Sequence, residues 1–379
     1  MIMVLNDDQK MIQKMTKEIA QKVIAPQAAY YDRTEEFPWE NVKKLSEMGF
    51  MGMAVPEIYD GAEMDMVSSV AALEEISKAC ASTGTIMAVH NSAGILPVLN
   101  FGSEEQKKEY LPRLATGDAV GAFALTEPGA GSDAAKVMTT AVEDKECYVL
   151  NGSKCFISNG GAAEIFIVFA SKDKTKGVKG LSAFIVEKGA PGFSIGKHEE
   201  KMGIRASSTV ELIFDNCRIP KKNQLGKDGE GFKIAMVTLD TARIGIAAQA
   251  VGIAEGAYQE AVAYAKVREQ FGKPICYNQA IGFMLANMAI SIEAARQLTY
   301  HAAQLKDNRQ AFGKEAAMAK TFASDVAVQV ALDAIQIMGG YGYSREYPVE
   351  RMLRDAKITQ IYEGTNQIQR VVISRSILQ

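Results

Sequence analysis

A chain of 379 residues exceeds what one ordinary hydrophobic core organises, so two or three packed units are expected. Its 47% apolar and 23% charged residues exclude a disordered or fibrous chain, and a net charge of −3 leaves no field able to hold nucleic acid or an anionic membrane surface. Cys80, Cys147, Cys155, Cys217 and Cys276 are scattered and form no CxxC pair, so neither a disulfide framework nor a metal site is expected, and a reducing cytoplasm fits best.

The opening run MIMVLNDDQKMIQKM is too short in apolar residues and too soon acidic for a signal peptide or an anchor, so a soluble protein is expected. Over 7–28 apolar residues recur at helical spacing (Met11, Ile12, Met15, Ile19, Val23), and Pro26 marks the expected end. Further helices are predicted over 39–48, stopped by Gly49, and over 66–79, with Glu74 and Glu75 in the middle. Residues 1–120 thus read as a helical unit.

The pattern changes at Gly121. Short apolar runs at 121–125, 146–150, 165–170, 181–186 and 210–214, separated by glycine-rich turns, predict the strands of a β unit over 121–228. Asn151-Gly152 between two such runs predicts a two-residue hairpin turn, which needs positive φ at both central positions. Helical spacing returns over 232–266, 277–305, 312–337 and 347–357, so residues 229–379 read as a helical bundle. Several apolar stripes compete for burial there, which favours association of several copies. The fold class is therefore α+β, with helices on both sides of a middle antiparallel β unit.

Residues 128–134 read PGAGSDA and contain GxGxxA, a dinucleotide fingerprint in form. The context opposes it, because the fingerprint must open a helix and here a proline precedes it and a strand soon follows. Either the loop offers backbone N–H groups with the Thr126 and Ser132 hydroxyls to a phosphate-bearing ligand, or it is an ordinary tight turn. Residues 361–365, IYEGT, set Glu363 between an apolar pair and Gly364. In a closed pocket Glu363 would be a base of raised pKa, with Gly364 letting backbone approach a substrate; at the surface it would be a solvated acid. Arg243, Arg268 and Lys273 could each bind phosphate or pair with a carboxylate. No metal-ligand spacing surrounds His90, which reads as structural, and no GxSxG elbow is present.

Seven segments together resemble the acyl-CoA dehydrogenase family from end to end, its short-chain type in particular. They are LTEPGAGSD at 125–133, KCFISNGG at 154–161, EKMGIRASST at 200–209, REQFGKPI at 268–275, QIMGGYGY at 336–343, YPVERMLRDAKI at 347–358 and IYEGTNQIQ at 361–369. The resemblance implies a helical domain, a β domain and a four-helix bundle, assembled as a homotetramer that binds FAD. It implies that Phe123, Leu125, Thr126, Phe156 and Ser158 border the flavin. Arg268, Phe271, Gln279, Gln336 and Gly340 would hold the FAD of the adjoining subunit, with Thr365 and Gln367 at the adenosine end. Ser132 would line the pantetheine path, Asp240 and Arg243 would order the CoA side, and Tyr362 and Gly364 would flank the substrate.

Glu363 matches the family's base, which takes the α-proton of an acyl-CoA thioester while the β-hydrogen leaves as hydride to the flavin. The product would be a trans-2-enoyl-CoA, and an electron transfer flavoprotein would collect the electrons. The reverse activity is the alternative, an enoyl-CoA reductase working with a bifurcating electron transfer flavoprotein, with arylacrylyl-CoA esters such as caffeyl-CoA among its substrates. A non-catalytic helical assembly protein is the alternative from another class. Three positions depart from the commoner family pattern: Asp60, Phe156, and Ala93, where loss of a leucine's bulk would widen the acyl pocket if Ala93 lines it.

Overall fold

A computed structural model describes residues 4–378. The first three residues of the opening run, and with them part of the leader question, lie outside the described residues. Helix α1 (Asp7–Ile19) starts at a reciprocal capping pair, Asn6 and Gln9. The chain does not stop at Pro26 as expected. A π turn at Ala20–Ile24 hands the Ala25 N–H to the carbonyl of Ala20, and Pro26, which has no N–H to give, falls in the first turn of α2 (Ala25–Thr34). Then come α3 (Trp39–Glu47), α4 (Met66–Ala79, capped by Asp65), α5 (Ala81–Val89), a second π segment at His90–Ile95, α6 (Leu96–Phe101) and α7 (Glu104–Ala115).

The middle sheet has strands β1 (Gly121–Ala124), β2 (Thr140–Asp144), β3 (Cys147–Ser158), β4 (Ile165–Ser171), β5 (Leu181–Glu187), β6 (Phe193–His198), β7 (Thr209–Pro220) and β8 (Gln224–Leu225). Their order is β6-β7-β3-β2-β4-β5-β8, with β1 added parallel to β4. On β4, Ile165, Ile167 and Phe169 face one core while Phe166, Val168 and Ala170 face another, so a continuous apolar run is buried on both faces.

The predicted Asn151-Gly152 hairpin is not there. The tight turn lies earlier, at Lys145 (φ 50°), between β2 and β3, and strand β2 was not foreseen. Asn151-Gly152 instead forms a bulge within β3, where the register against β7 shifts between Leu150 and Gly152. Gly152 has φ 145° and a Cβ there would lie 2.6 Å from the Thr139 hydroxyl, while the Asn151 side chain accepts the Asn216 N–H at 2.7 Å. Both flanks of Asn151-Gly152 alternate apolar residues, so the long ladder with β7 satisfies more backbone than a turn would.

The last third holds α8 (Gly231–Val267), α9 (Gln279–Asp307), α10 (Gly313–Met338), α11 (Val349–Thr359) and α12 (Asn366–Leu378). By length and apolarity α8 could cross a bilayer, but 78% of its most apolar window is buried inside the protein. Helices α4 and α8 approach so closely that a Cβ at Gly252 would lie 2.4 Å from the Glu74 carbonyl. One hydrophobic core therefore runs from α1 through α4 and α5 into α8–α11, joining the two helical regions.

Candidate active site

The turn between α11 and α12 carries Glu363 with φ 54° and Gly364 with φ 90°. Two left-handed residues in succession need external support, and three side chains give it. Gln369 Nε2 donates to the carbonyls of Glu363 (3.1 Å) and Gly364 (2.8 Å), and Lys320 Nζ donates to the Gly364 carbonyl (2.8 Å) and to Asn366 Oδ1 (2.9 Å). On the other flank the Tyr362 hydroxyl donates to Gln249 on α8, whose Nε2 is anchored to Thr85 Oγ1 (2.7 Å) and the Ala81 carbonyl (3.1 Å) on α5.

Glu363 itself is half-buried, and its Oε2 is fully enclosed without a hydrogen-bond partner. Burial pushes its carboxyl up to about 7, against the nearby cations of Arg243 and Lys320, which favour the charged form. The solvated surface acid weighed from the sequence is thus not what the chain builds. Arg243 on α8 is 4% exposed, is paired with Asp240 one turn earlier, and keeps a buried Nε without a partner. A cation and a carboxylate in one neighbourhood, each with an unpaired buried polar atom, leave places that a polar ligand would fill.

On another side of α8, Thr241 and Gly245 line a small cavity of about 50 Å³ that none of these site residues lines. Met53, Val70, Leu73, Ala88 and Leu96 make its apolar wall, and Asn91, Ser92 and Lys306 add polar atoms. Ala93 is fully buried on the π segment that follows α5. Its neighbour His90 is structural: Nδ1 accepts the Gly121 N–H (2.9 Å), which puts the ring proton on Nε2, facing the carbonyls of Met51 (2.9 Å) and Leu114 (3.0 Å).

Of the residues matched to the flavin, Phe123 lies on β1, Phe156 and Ser158 on β3, and Leu125 and Thr126 just past the end of β1. Phe123 packs on Phe169 with ring centroids 4.8 Å apart. Lys154, fully buried and paired with Glu127, donates to the Leu125 carbonyl (3.0 Å), and the Thr126 carbonyl accepts the Cys155 N–H (3.0 Å). This fastens the glycine-rich loop to β3. At Gly129 and Gly131 a Cβ would meet nothing within 4 Å and φ is not left-handed, so neither packing nor conformation asks for glycine there. A ligand approaching the backbone would. Ser132 is exposed next to them, Ser158 is half-buried, and Phe156 stands 64% exposed at φ 57° on a second bulge of β3.

A wide cavity of about 660 Å³ opens between α8, α10 and the 269–274 hairpin, and it brings Arg268, Phe271 and Gly340 together. Gln279 and Gln336 are exposed one residue from its lining residues Asn278 and Ile337. Phe271 is 96% exposed at φ 53°, Arg268 sits 5.6 Å over the Tyr341 ring, and a Cβ at Gly339 or Gly340 would meet nothing within 4 Å. Thr365 opens α12, its Oγ1 accepting the Ile368 N–H at 3.3 Å, and Gln367 is exposed on the first turn. Uncovered aromatic faces, an arginine and open glycines fit the stacking and phosphate needs of a flavin dinucleotide. Lys273 is exposed on the hairpin rim, and no group of metal-ligating side chains occurs among the described residues.

Sequence reasoning missed Lys320, Gln249 and Gln369. Lys320 had a legible signal, a lone cation on the alanine stripe Ala316, Ala319, Ala323 of a core helix, all fully buried. The two glutamines had none, because what they hold is backbone or a side chain from another segment.

Family models for the N-terminal, middle and C-terminal domains of acyl-CoA dehydrogenases match residues 6–118, 122–217 and 229–378, and the chain belongs to that family. It is 57% identical over 374 residues to an acyl-CoA dehydrogenase of Bacillus subtilis (99% of each chain). It is also 50% identical over 376 residues to the acryloyl-CoA reductase (NADH) of Anaerotignum propionicum, covering 99% of this chain and 95% of that one. Among solved structures, the butyryl-CoA dehydrogenase of Megasphaera elsdenii superposes with TM-score 0.98 at 48% identity over both full chains. A chain from a structure described as the electron transferring flavoprotein of Acidaminococcus fermentans, on flavin-based electron bifurcation, gives 0.99 at 54%, again over both full chains. The protein is a FAD-dependent oxidoreductase that forms or reduces the α,β double bond of a CoA thioester.

Proposed function

We propose that the chain acts on short acyl-CoA thioesters, with Glu363 as the base that takes the α-proton. The observation that carries this is the enclosed, unpaired Oε2 of Glu363 on a turn braced from both sides. An α-proton of a thioester is far too weakly acidic for a solvated carboxylate; a desolvated one of pKa about 7 is a stronger base that is still ionised near neutral pH, and stabilisation of the enolate oxygen closes the rest of the gap. The Glu363 N–H polarises the thioester carbonyl as negative charge develops there. Arg243, held by Asp240, and Ser132 bind the CoA side, and Tyr362 and Gly364 flank the acyl group.

Phe123, Leu125, Thr126, Phe156 and Ser158 hold the flavin from one subunit. Arg268, Phe271, Gln279, Gln336 and Gly340 reach the dinucleotide of a neighbour, and Thr365 and Gln367 border its adenosine end. FAD bound there supplies the acceptor for the hydride that leaves the β-carbon. We assign a homotetramer, supported by exposed apolar residues on α9 such as Phe283 (60%) and Ile290 (68%), an electron transfer flavoprotein as partner, and a cytoplasmic location.

The reverse reading, reduction of an enoyl-CoA, is favoured by the likeness to an acryloyl-CoA reductase and to the chain from the electron-bifurcation structure. Anaerobic titration of the holoenzyme with butyryl-CoA, octanoyl-CoA and 3-phenylpropionyl-CoA tests all of this. Butyryl-CoA should bleach the oxidised flavin band most readily, and Glu363→Gln should slow bleaching by about 10³-fold. A flavin that no acyl-CoA bleaches, but that crotonyl-CoA reoxidises after chemical reduction, assigns the reductase direction. Equal bleaching by Glu363→Gln removes Glu363 from the base role.

A further inference from the structure

We infer that Lys320, a buried lysine on α10, is a positioning residue for the base: it pins the left-handed Glu363-Gly364 turn through the Gly364 carbonyl and sets the charge that Glu363 faces. The inference rests on the reading of Glu363 as the base. Lys320 is fully buried, and a lysine ammonium is rarely placed so deep without a task that needs it there. Among the described residues its Nζ reaches no carboxylate within ion-pair distance; it donates to the Gly364 carbonyl at 2.8 Å and to Asn366 Oδ1 at 2.9 Å. Both acceptors belong to the three residues that follow Glu363.

The second acceptor is itself fixed. Asn366 Nδ2 donates to Ser324 Oγ (2.9 Å) and Asp325 Oδ1 (2.8 Å), so a polar cluster from two turns of α10 grips the start of α12. Gln369 donates to the same Gly364 carbonyl from the other side, so that oxygen is held by two donors. Two donors on that carbonyl resist rotation of the peptide between Gly364 and Thr365, and Gln369, which also holds the Glu363 carbonyl, resists it on the peptide before, so the turn with φ 54° at Glu363 is braced despite its strain. The carboxylate is thereby aimed by contacts on its successor, and Lys320 need not touch the substrate.

Charge is the second part of the role. The ionisable groups around Glu363 are Arg243 and Asp240 on α8, Lys320 and Asp325 on α10, and Tyr362 on the turn. Arg243 is already compensated by Asp240, so Lys320 is the less compensated cation of the two. Burial holds the Lys320 amine down to about 7, opposed by Glu363. Removing it takes away a term that favours ionised Glu363, so the base should need a higher pH.

The test uses the FAD-loaded enzyme with Lys320→Met, of similar length and neutral, and Lys320→Gln, which keeps an amide donor without charge; Glu363→Gln is the control. The expectation is normal flavin loading, cooperative melting and a KM within about 3-fold of wild type. Flavin reduction by butyryl-CoA, or in the reverse assay reoxidation by crotonyl-CoA, should slow about 30- to 100-fold. The acidic limb of the kcat/KM pH profile should move to higher pH in both variants, with the smaller rate loss in Lys320→Gln. Wild-type rates and an unmoved limb in folded Lys320→Met overturn the inference, as does failure of both variants to fold with FAD, which would make Lys320 a requirement of the bundle. If Glu363→Gln is itself fully active, the base assignment fails first and separately.

Discussion

Glu363 is held in a state that costs the fold stability. A carboxyl whose pKa is about 7 when folded and 4.5 when exposed binds more protons in the folded chain across that interval, so stability falls as pH rises from about 4.5 to 7 and the loss is complete above it. The size is roughly 2–3 kcal/mol after allowance for the partial exposure of the residue. Glu363→Gln, which cannot ionise, should therefore melt a few degrees higher than wild type at pH 8 in the apoprotein, and the difference should fade toward pH 5, as read by calorimetry. Catalysis runs the other way, since the base must be ionised. The wild-type kcat/KM should rise about tenfold per pH unit below 7 and level above it. A rate that is flat from pH 5 to 8 would place the base elsewhere. An isolated Glu in the sequence carries neither sign, because its burial is a property of the fold and the cations that oppose it, Arg243 and Lys320, stand far from it in the string.

At the scale of elements, the segment 200–209 is the joint between the sheet and both helical regions. Arg354 on α11 donates to both carboxylate oxygens of Asp32 on α2 (2.9 and 2.7 Å), to Glu350 on its own helix and to the Met202 carbonyl (3.1 Å), while Asp355 accepts the Ile204 N–H at 2.5 Å. Gly203 sits so close that a Cβ would lie 2.3 Å from the Arg354 carbonyl carbon. Arg354→Met would strand Asp32, whose side chain is 11% exposed, and should cost about 3 kcal/mol, read as a lower apparent Tm with the flavin spectrum retained at low temperature. Gly203→Ala should have a similar effect by prising the loop off α11. The same region separates what the sequence shows from what it hides. Periodicity marked α3, α4 and the four long C-terminal helices closely, because each buries a stripe. It missed α12, which buries only Asn366 and Gln369, and it mistook Asn151-Gly152 for a turn because a bulge uses the same residue types as a hairpin.

For the whole molecule, several exposed apolar side chains gather at one region. Phe271 at 96% exposure, Tyr277 at 71% and Val267 at 76% surround or adjoin the wide cavity, and a chain alone in water gains nothing from displaying them. If a neighbouring copy brings its FAD to this cavity, cofactor binding and assembly are one equilibrium, and each should strengthen the other. Phe271→Asp then tests both at once. It leaves the Glu363 turn untouched, yet it should weaken FAD retention at least tenfold and shift the protein toward smaller species in light scattering at micromolar concentration. Added FAD should restore the larger species in proportion to its concentration, because ligand that binds only the assembled form draws the equilibrium toward it. A Phe271→Asp protein that loses FAD but keeps its assembly would confine the hairpin to cofactor contact. One that loses assembly but keeps FAD would mean that each chain holds its own dinucleotide without the neighbour, and the shared site would have to be abandoned.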